Sequence, residues 1–352
     1  MINRLKKLFI LGNLLLISGL VSAQIIDKRG VNQQWKTDLT QKSVELNEFM
    51  ALLPHDRIMP IDNPVFLNGR AADQKYNEKE PVIVIERNGK ARAYPLSILM
   101  AHEIVNDEFE GLKLVATFCP LCYSALIYNR EVTYKNETRE LTFGTSGMLR
   151  NSDLVMWDRQ TESWWQQFTG EGLVGYYSGA ELEVLFSELL PFGEFRDLYP
   201  EGTILGPPTD YNYEYGTNPY VDYDQFPEAT PFLYKDEPDK RLPPTERVIG
   251  IYGKDFVKAY PWTLLRKEKV VNDIFEKQDL VLFFSKGMLS VVDERDISKS
   301  RDVGAVTVYS SKTNDIILHF KPFGDRQFKD TETKSIWNIQ GECVEGELKG
   351  NE

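Results

Sequence analysis

Residues 80–95 read EPVIVIERNGKARAYP, and the reading of this stretch decides the fold. Two short β-type runs, Pro81 to Glu86 and Lys90 to Tyr94, flank Asn88-Gly89, a dipeptide that favours the turn of a two-residue hairpin. Pro95 then opens a short helix, expected over 95–101, because proline in a first turn forfeits no helix hydrogen bond.

The same pattern returns. Sliding the chain against itself by 166 places lays residues 80–107 over 246–273 without a gap, and eleven of 28 positions are identical, among them Glu80/Glu246, Tyr94/Tyr260, Pro95/Pro261, Asn106/Asn272 and Asp107/Asp273. Phe118 over Phe284 continues the offset, and Ser163 and Trp165 fall over Ser335 and Trp337 at a changed one. The expected fold is therefore mainly β (α+β), two homologous β-rich units related by internal duplication and carrying short helices. Unit 1 spans 80–206 and unit 2 spans 245–352, with an arm at 24–79 before them.

Further strands are expected at 113–118, 123–128, 132–135, 140–143 and 154–157, and helices at 43–53, 184–190 and 192–199. The arm should run extended through Arg57 to Pro64, where two prolines restrict the backbone. Residues 207–244 hold eight prolines, six tyrosines and eight acidic residues. So many prolines exclude a regular helix or central strand, and so many tyrosines argue for an ordered excursion across the folded body.

Residues 1–23 have a basic start (Arg4, Lys6, Lys7), an apolar run from Leu8 to Leu20 and Val21-Ser22-Ala23 at the end, the pattern of a secretory signal peptide. The apolar run is too short for a span, so the mature chain is expected to be exported, periplasmic or secreted, with no membrane span. Loss of three basic residues takes the formal net charge from −12 to −15. Such an acidic surface makes nucleic acid an unsuitable partner. A small molecule, a metal or another exported protein remains open.

Two of the three cysteines stand together in Thr117-Phe-Cys-Pro-Leu-Cys-Tyr-Ser124, at the end of a predicted strand. Three readings stay open for Cys119 and Cys122. A disulfide across so short a loop stabilises little. A redox pair is the second, although β-type sequence follows where thiol oxidoreductases open a helix. The third is a metal site, copper or zinc, completed by His102 and a further ligand. At the shared offset His102 faces Glu268, Cys119 faces Ser285 and Cys122 faces Met288. The three most metal-competent side chains change together, which points to one site in unit 1.

A strand from Glu103 paired with Leu114 to Phe118 would bring His102 near Cys119. Arg150, Asn151 and Asp153 follow the glycines Gly144 and Gly147 and are expected to face the same hollow as outer donors and acceptors. Of Trp164 and Trp165, one should be core and the other line a pocket. Asp222 and Asp224 are a weak calcium possibility, and Cys343 reads as an isolated buried thiol. No organic cofactor is indicated. The rival to a metal or redox protein is a non-catalytic binding module that uses 207–244 to hold a glycan, peptide or partner protein.

Tyr94-Pro95, HEIVND at 102–107, FCPLC at 118–122, the run from Gly147 to Asp158 and TESWWQQFTGE at 161–171 together resemble a bacterial domain-of-unknown-function family of exported proteins. The likeness covers most of the mature chain. It implies no activity; it implies that His102, Cys119, Cys122, Arg150, Asn151 and Asp153 belong to the family pattern.

Overall fold

The computed structural model describes residues 33–351 apart from 226–228, 235–236 and 314. The signal-peptide reading and the first residues of the arm lie outside that range. The chain is β-rich, with several sheets and a few short helices. In the first half the elements are β1 (Phe49–Ala51), β2 (Phe66–Asn68), α1 (Gly69–Asp73), β3 (Pro81–Arg87), β4 (Lys90–Pro95), α2 (Leu96–His102), β5 (Ile104–Phe109), β6 (Leu112–Cys119) and β7 (Ser124–Asn129). They continue with β8 (Glu131–Tyr134), β9 (Glu137–Glu140), β10 (Phe143–Arg150), β11 (Asp153–Asp158), β12 (Trp164–Gln166), β13 (Gly172–Val174), β14 (Val184–Leu185), β15 (Glu188–Pro191), α3 (Phe192–Leu198) and β16 (Thr203–Leu205).

Turn chemistry sets the hairpins. Asn88-Gly89, Glu110-Gly111, Lys135-Asn136 and Asn151-Ser152 each place two consecutive residues at positive φ, the backbone that matches the twist of paired strands. Pro95 caps α2 from outside, at φ −65° and ψ 133°, and Ser97 N–H donates to Glu80 Oε1 at 3.0 Å. α2 stops at Glu103, which turns left-handed at φ 59° while its N–H returns to Leu99 O at 2.7 Å.

Besides the β8–β9 hairpin, three larger sheets share the described residues of the first half. Their orders are β1-β10-β11-β12-β13, β14-β7-β6-β5 and β15-β3-β4-β16-β2. One core cluster joins the faces of β3, β4, α2, β5 and β6 through Ile83, Tyr94, Leu99, Val105, Ala116 and Phe118. A second joins β6 and β7 to β10, β11 and β12 through Val115, Cys119, Tyr128, Phe143, Met156 and Trp165. Cys119 thus lies at the seam of two sheets.

Two expected helices are strands instead. Residues 43–53 hold only a turn of 3-10 helix at Leu46–Glu48 before β1 pairs with β10, Met50 opposite Leu149. Residues 184–190 form β14 and β15, pairing with β7 and β3. In both, tertiary strand pairing outweighs an apolar spacing that also suits a helix. The arm is woven in rather than laid on: Ile61 bridges Val105, and Leu52 and Leu53 N–H donate to Gly147 O. Gly147 lies in β10 at φ 74°, and a Cβ there would stand 2.0 Å from Leu53 O.

The second half contains β17 (Val248–Tyr252), β18 (Val257–Pro261), α4 (Trp262–Glu268), β19 (Val270–Phe275), β20 (Gln278–Ser285) and β21 (Ala305–Ser310), then a four-stranded sheet between Phe320 and Glu345. Several contacts occur in both halves. Tyr94 Oη donates to Asp107 at 2.7 Å, as Tyr260 does to Asp273 at 3.0 Å. Asn106 clasps the backbone of Phe143 in both directions, as Asn272 clasps Phe320. Trp165 Nε1 donates to Asp158, as Trp337 does to Asp330.

Residues 207–244 are an ordered excursion where described. Asn218 is fully buried, its N–H on Arg295 O at 2.8 Å, and Tyr223 N–H reaches Val292 O at 3.1 Å. No helix among the described residues is long and apolar enough to cross a membrane.

Candidate metal centre

β6 ends at Cys119, which pairs across the ladder with Ser124, so the four residues between them must reverse the chain within one strand spacing. Tyr123 takes φ 50° to close that turn, and its N–H donates to Pro120 O at 3.3 Å. The turn sets the two thiols together. Cys119 is buried. Cys122 reaches the surface as a residue, yet its thiol turns inward to Ser124 Oγ at 2.9 Å and Asp153 Oδ1 at 2.8 Å.

Asp153 opens β11, directly after the Asn151-Ser152 turn, and is 5 % exposed. The ligand atoms of Cys119, Cys122 and Asp153 lie within 4.8 Å of one another, a group that could hold a metal ion. The second Asp153 oxygen accepts from Gln166 Nε2 and from Phe168 N–H at 3.0 Å. Gln167, the neighbour of Gln166 and fully buried, accepts from Ser124 Oγ and donates to Thr117 Oγ1 at 2.8 Å. These amides hold the frame of the site without bringing charge.

All three cysteines are free thiols. Burial pushes the Cys119 thiol up, and burial followed by Cys119 and Asp153 pushes Cys122 well up. Burial also raises Asp153 against the hydrogen bonds from Cys122 and Gln166. Glu103 belongs to the same environment: it is buried and pushed up to about 8, by burial first and then by Asp153. Four acidic groups therefore share a buried region in which desolvation disfavours every ionised form, while hydrogen bonds from the thiols favour the charged form of Asp153. Among the described residues no basic side chain hydrogen-bonds to any of the four.

His102 is engaged by other groups. Its Nδ1 lies 2.6 Å from Met59 O and so carries the proton, while Nε2 accepts from Tyr215 Oη at 2.8 Å. Tyr211, Tyr213 and Tyr215 surround the ring at centroid distances of 4.8, 5.1 and 5.7 Å. Burial lowers its pKa, which keeps the imidazole neutral. The strand expected after it does form, Ile104 opposite Thr117, but His102 is the last helical residue. The left-handed turn at Glu103 separates the two directions. Asp153, not His102, stands with the sulfurs among the described residues.

Arg150 pairs with Asp153 across the β10–β11 hairpin, but its guanidinium donates to Glu48 and to Gln166 Oε1 at 3.0 Å and so reaches the Asp153 carboxylate only through Gln166. Asn151 is exposed in its turn. Trp164 and Trp165 are both fully buried, so neither lines an open pocket. Asp224 is taken by Arg247, Arg301 and Ser290, and Cys343 is buried as expected. Glu103, Gln166, Gln167 and Tyr223 were not legible as site residues. The alternation of β12 could have marked Gln166, since Trp165 and Gln167 must face the other side.

The excursion covers this region. Tyr223 Oη donates to Leu121 O at 3.0 Å, inside the Cys-Pro-Leu-Cys turn, and accepts from Phe232 N–H at 3.1 Å. Ser152 Oγ donates to Phe232 O at 2.6 Å. The tyrosine-rich segment thus ties the cysteine turn to the turn before Asp153.

No curated protein and no solved structure matches the chain. The family model described as Protein of unknown function (DUF3179) matches residues 55–352, a span that includes Cys119, Cys122 and Asp153, and the chain belongs to that family.

Proposed function

We propose that this chain is an exported metalloprotein that binds one ion through Cys119, Cys122 and Asp153. The observation that carries the reading is the approach of those three ligand atoms to within 4.8 Å of one another. The surrounding charge supports it: two thiols turned inward beside a carboxylate, with no basic side chain hydrogen-bonded to them among the described residues, lose their protons readily only to a cation. Two thiolates with a carboxylate oxygen suit zinc better than copper, because thiolate favours both whereas oxygen belongs to the zinc donor set. Three protein ligands leave a fourth position open for solvent or a substrate atom, the arrangement of a reactive rather than a closed zinc site.

Export rests on the leader pattern of residues 1–23. Duplication of one ancestral unit is supported by the contacts that recur in both halves. In that comparison Ser285 and Met288 stand for the cysteines, and Lys269 stands for Glu103 at the same left-handed turn, φ 66°. Where the thiols go, the acid becomes a base.

The test is elemental analysis and zinc titration of the mature protein purified under reducing conditions, repeated with Cys119→Ser and Asp153→Asn. One equivalent of zinc, lost in both variants, supports the reading. Stoichiometric copper instead reassigns the ion; metal-free protein that also fails to bind added zinc or copper overturns the proposal, and reversible Cys119–Cys122 oxidation in such protein would favour the redox pair.

A further inference from the structure

The hairpin β17–β18 occupies in the second half the position of β3–β4 in the first, and the two are housed differently. β3 carries β15 antiparallel on its outer edge, and β4 carries β16. Val82, Val84, Ala91 and Ala93 are sealed into a core with Leu190 and Phe192. Among the described residues β17 and β18 pair only with each other. Val248 and Val257, which stand where Val82 and Ala91 do, are 39 % and 66 % exposed, and Tyr252 is 61 % exposed.

The open edge is ordered. Gly253 N–H donates to Phe256 O at 2.9 Å and Trp262 N–H donates to Arg247 O at 2.8 Å, which turns the odd-numbered backbone groups towards β18. The N–H and C=O groups of Val248, Gly250 and Tyr252 therefore face outward along the free edge. Lys254, Asp255 and Phe256 N–H all donate to the Glu276 carboxylate, at 2.8, 2.7 and 3.0 Å, and fix the tip of the hairpin. Residues 248–252 include no charge and no proline, the usual protections of a strand edge.

We propose that this edge is a homodimer interface in which β17 of two copies pairs antiparallel about a twofold axis through Gly250. A twofold makes such self-pairing antiparallel, the direction β15 takes on β3. With Gly250 on the axis, Val248 lies opposite the partner's Tyr252, an aromatic and β-branched pair that shields both. Glu246 lies opposite the partner's Lys254 at each end, so the charges are self-complementary. A shift by one residue would turn the paired backbone groups out of phase, and a shift by two would separate Glu246 from the partner's Lys254.

Sedimentation or light scattering of the full mature chain over a concentration series tests it. Wild type is expected to dimerise, and Tyr252→Lys, which places the new ammonium against Val248 on an exposed face, to remain monomeric at concentrations where wild type is mostly dimer. Gly250→Cys supplies the positional readout: paired α-carbons about 5.5 Å apart across the axis can be bridged, so mild oxidation should yield a linked dimer absent from wild type and from Ile274→Cys. A wild-type chain that stays monomeric into the hundred-micromolar range overturns the proposal. So does a dimer that survives Tyr252→Lys and gives no Gly250→Cys link, since its contact would lie elsewhere.

Discussion

The Cys122 thiol donates to Asp153 Oδ1 at 2.8 Å, and these two residues come from different sheets. β6 and β7 present the cysteine turn, whereas the β10–β11 hairpin presents the carboxylate. Neither sheet alone contains a site. Their packing creates one, with Cys119 in the cluster that joins them.

Asp153→Asn keeps the size of the side chain and removes its negative charge. If the proposed site binds zinc, affinity should fall by about 10-fold or more, since even outer partners of a metal site are worth roughly 10–100-fold. Competition titration against a chromophoric chelator measures it, and an unchanged affinity would remove Asp153 from the ligand set.

His102→Phe removes the bonds to Met59 and Tyr215 from a fully buried position. Stability should drop by about 1–3 kcal/mol, the cost of leaving a buried carbonyl unpaired, in urea melts. Metal stoichiometry should not change. A variant that stays folded but loses its ion would return His102 to the site.

Glu103 sets a pH dependence whose sign is fixed by its folded pKa of about 8, above the unfolded value of 4.5. Between those values the folded chain binds the extra proton, so the stability of metal-free protein should fall as pH rises from about 4.5 to about 8, by at most about 1.4 kcal/mol per pH unit from this group. Glu80, pushed up to about 7 by burial, adds the same sign over a narrower window. Urea melts at pH 5, 6.5 and 8 (about one and a half units apart) follow the linkage. Glu103→Gln should flatten the slope, and a slope identical to wild type would sink the assignment.

Tyr223→Phe deletes the hydroxyl that bridges Leu121 O and Phe232 N–H. The Cys-Pro-Leu-Cys turn should open more often, and modification of Cys122 by a neutral thiol reagent should speed up several-fold, with about 1 kcal/mol lost in global stability. Equal modification rates would mean that the excursion does not guard the turn.

Much of this was legible in the residues. Asn88-Gly89 specifies its hairpin because both positions need positive φ, and Tyr-Pro marks the start of α2 and of α4 because proline fits there without losing a bond. The parallel contacts of Tyr94 and Tyr260, of Asn106 and Asn272, and of Trp165 and Trp337 fall where the offset comparison matched those residues. Local chemistry and period determine such features. Val184 to Leu190 could not be read this way, since its apolar spacing suits a helix and only the free edges of β7 and β3 make it two strands. Which side chains meet at the candidate site was decided later still. His102 and Glu103 are adjacent in sequence, yet the left-handed turn at Glu103 separates the histidine, bound to Met59 and Tyr215, from the acid near Asp153. A single φ and the packing of two sheets set these placements, and neither is encoded in residue type or spacing within one strand.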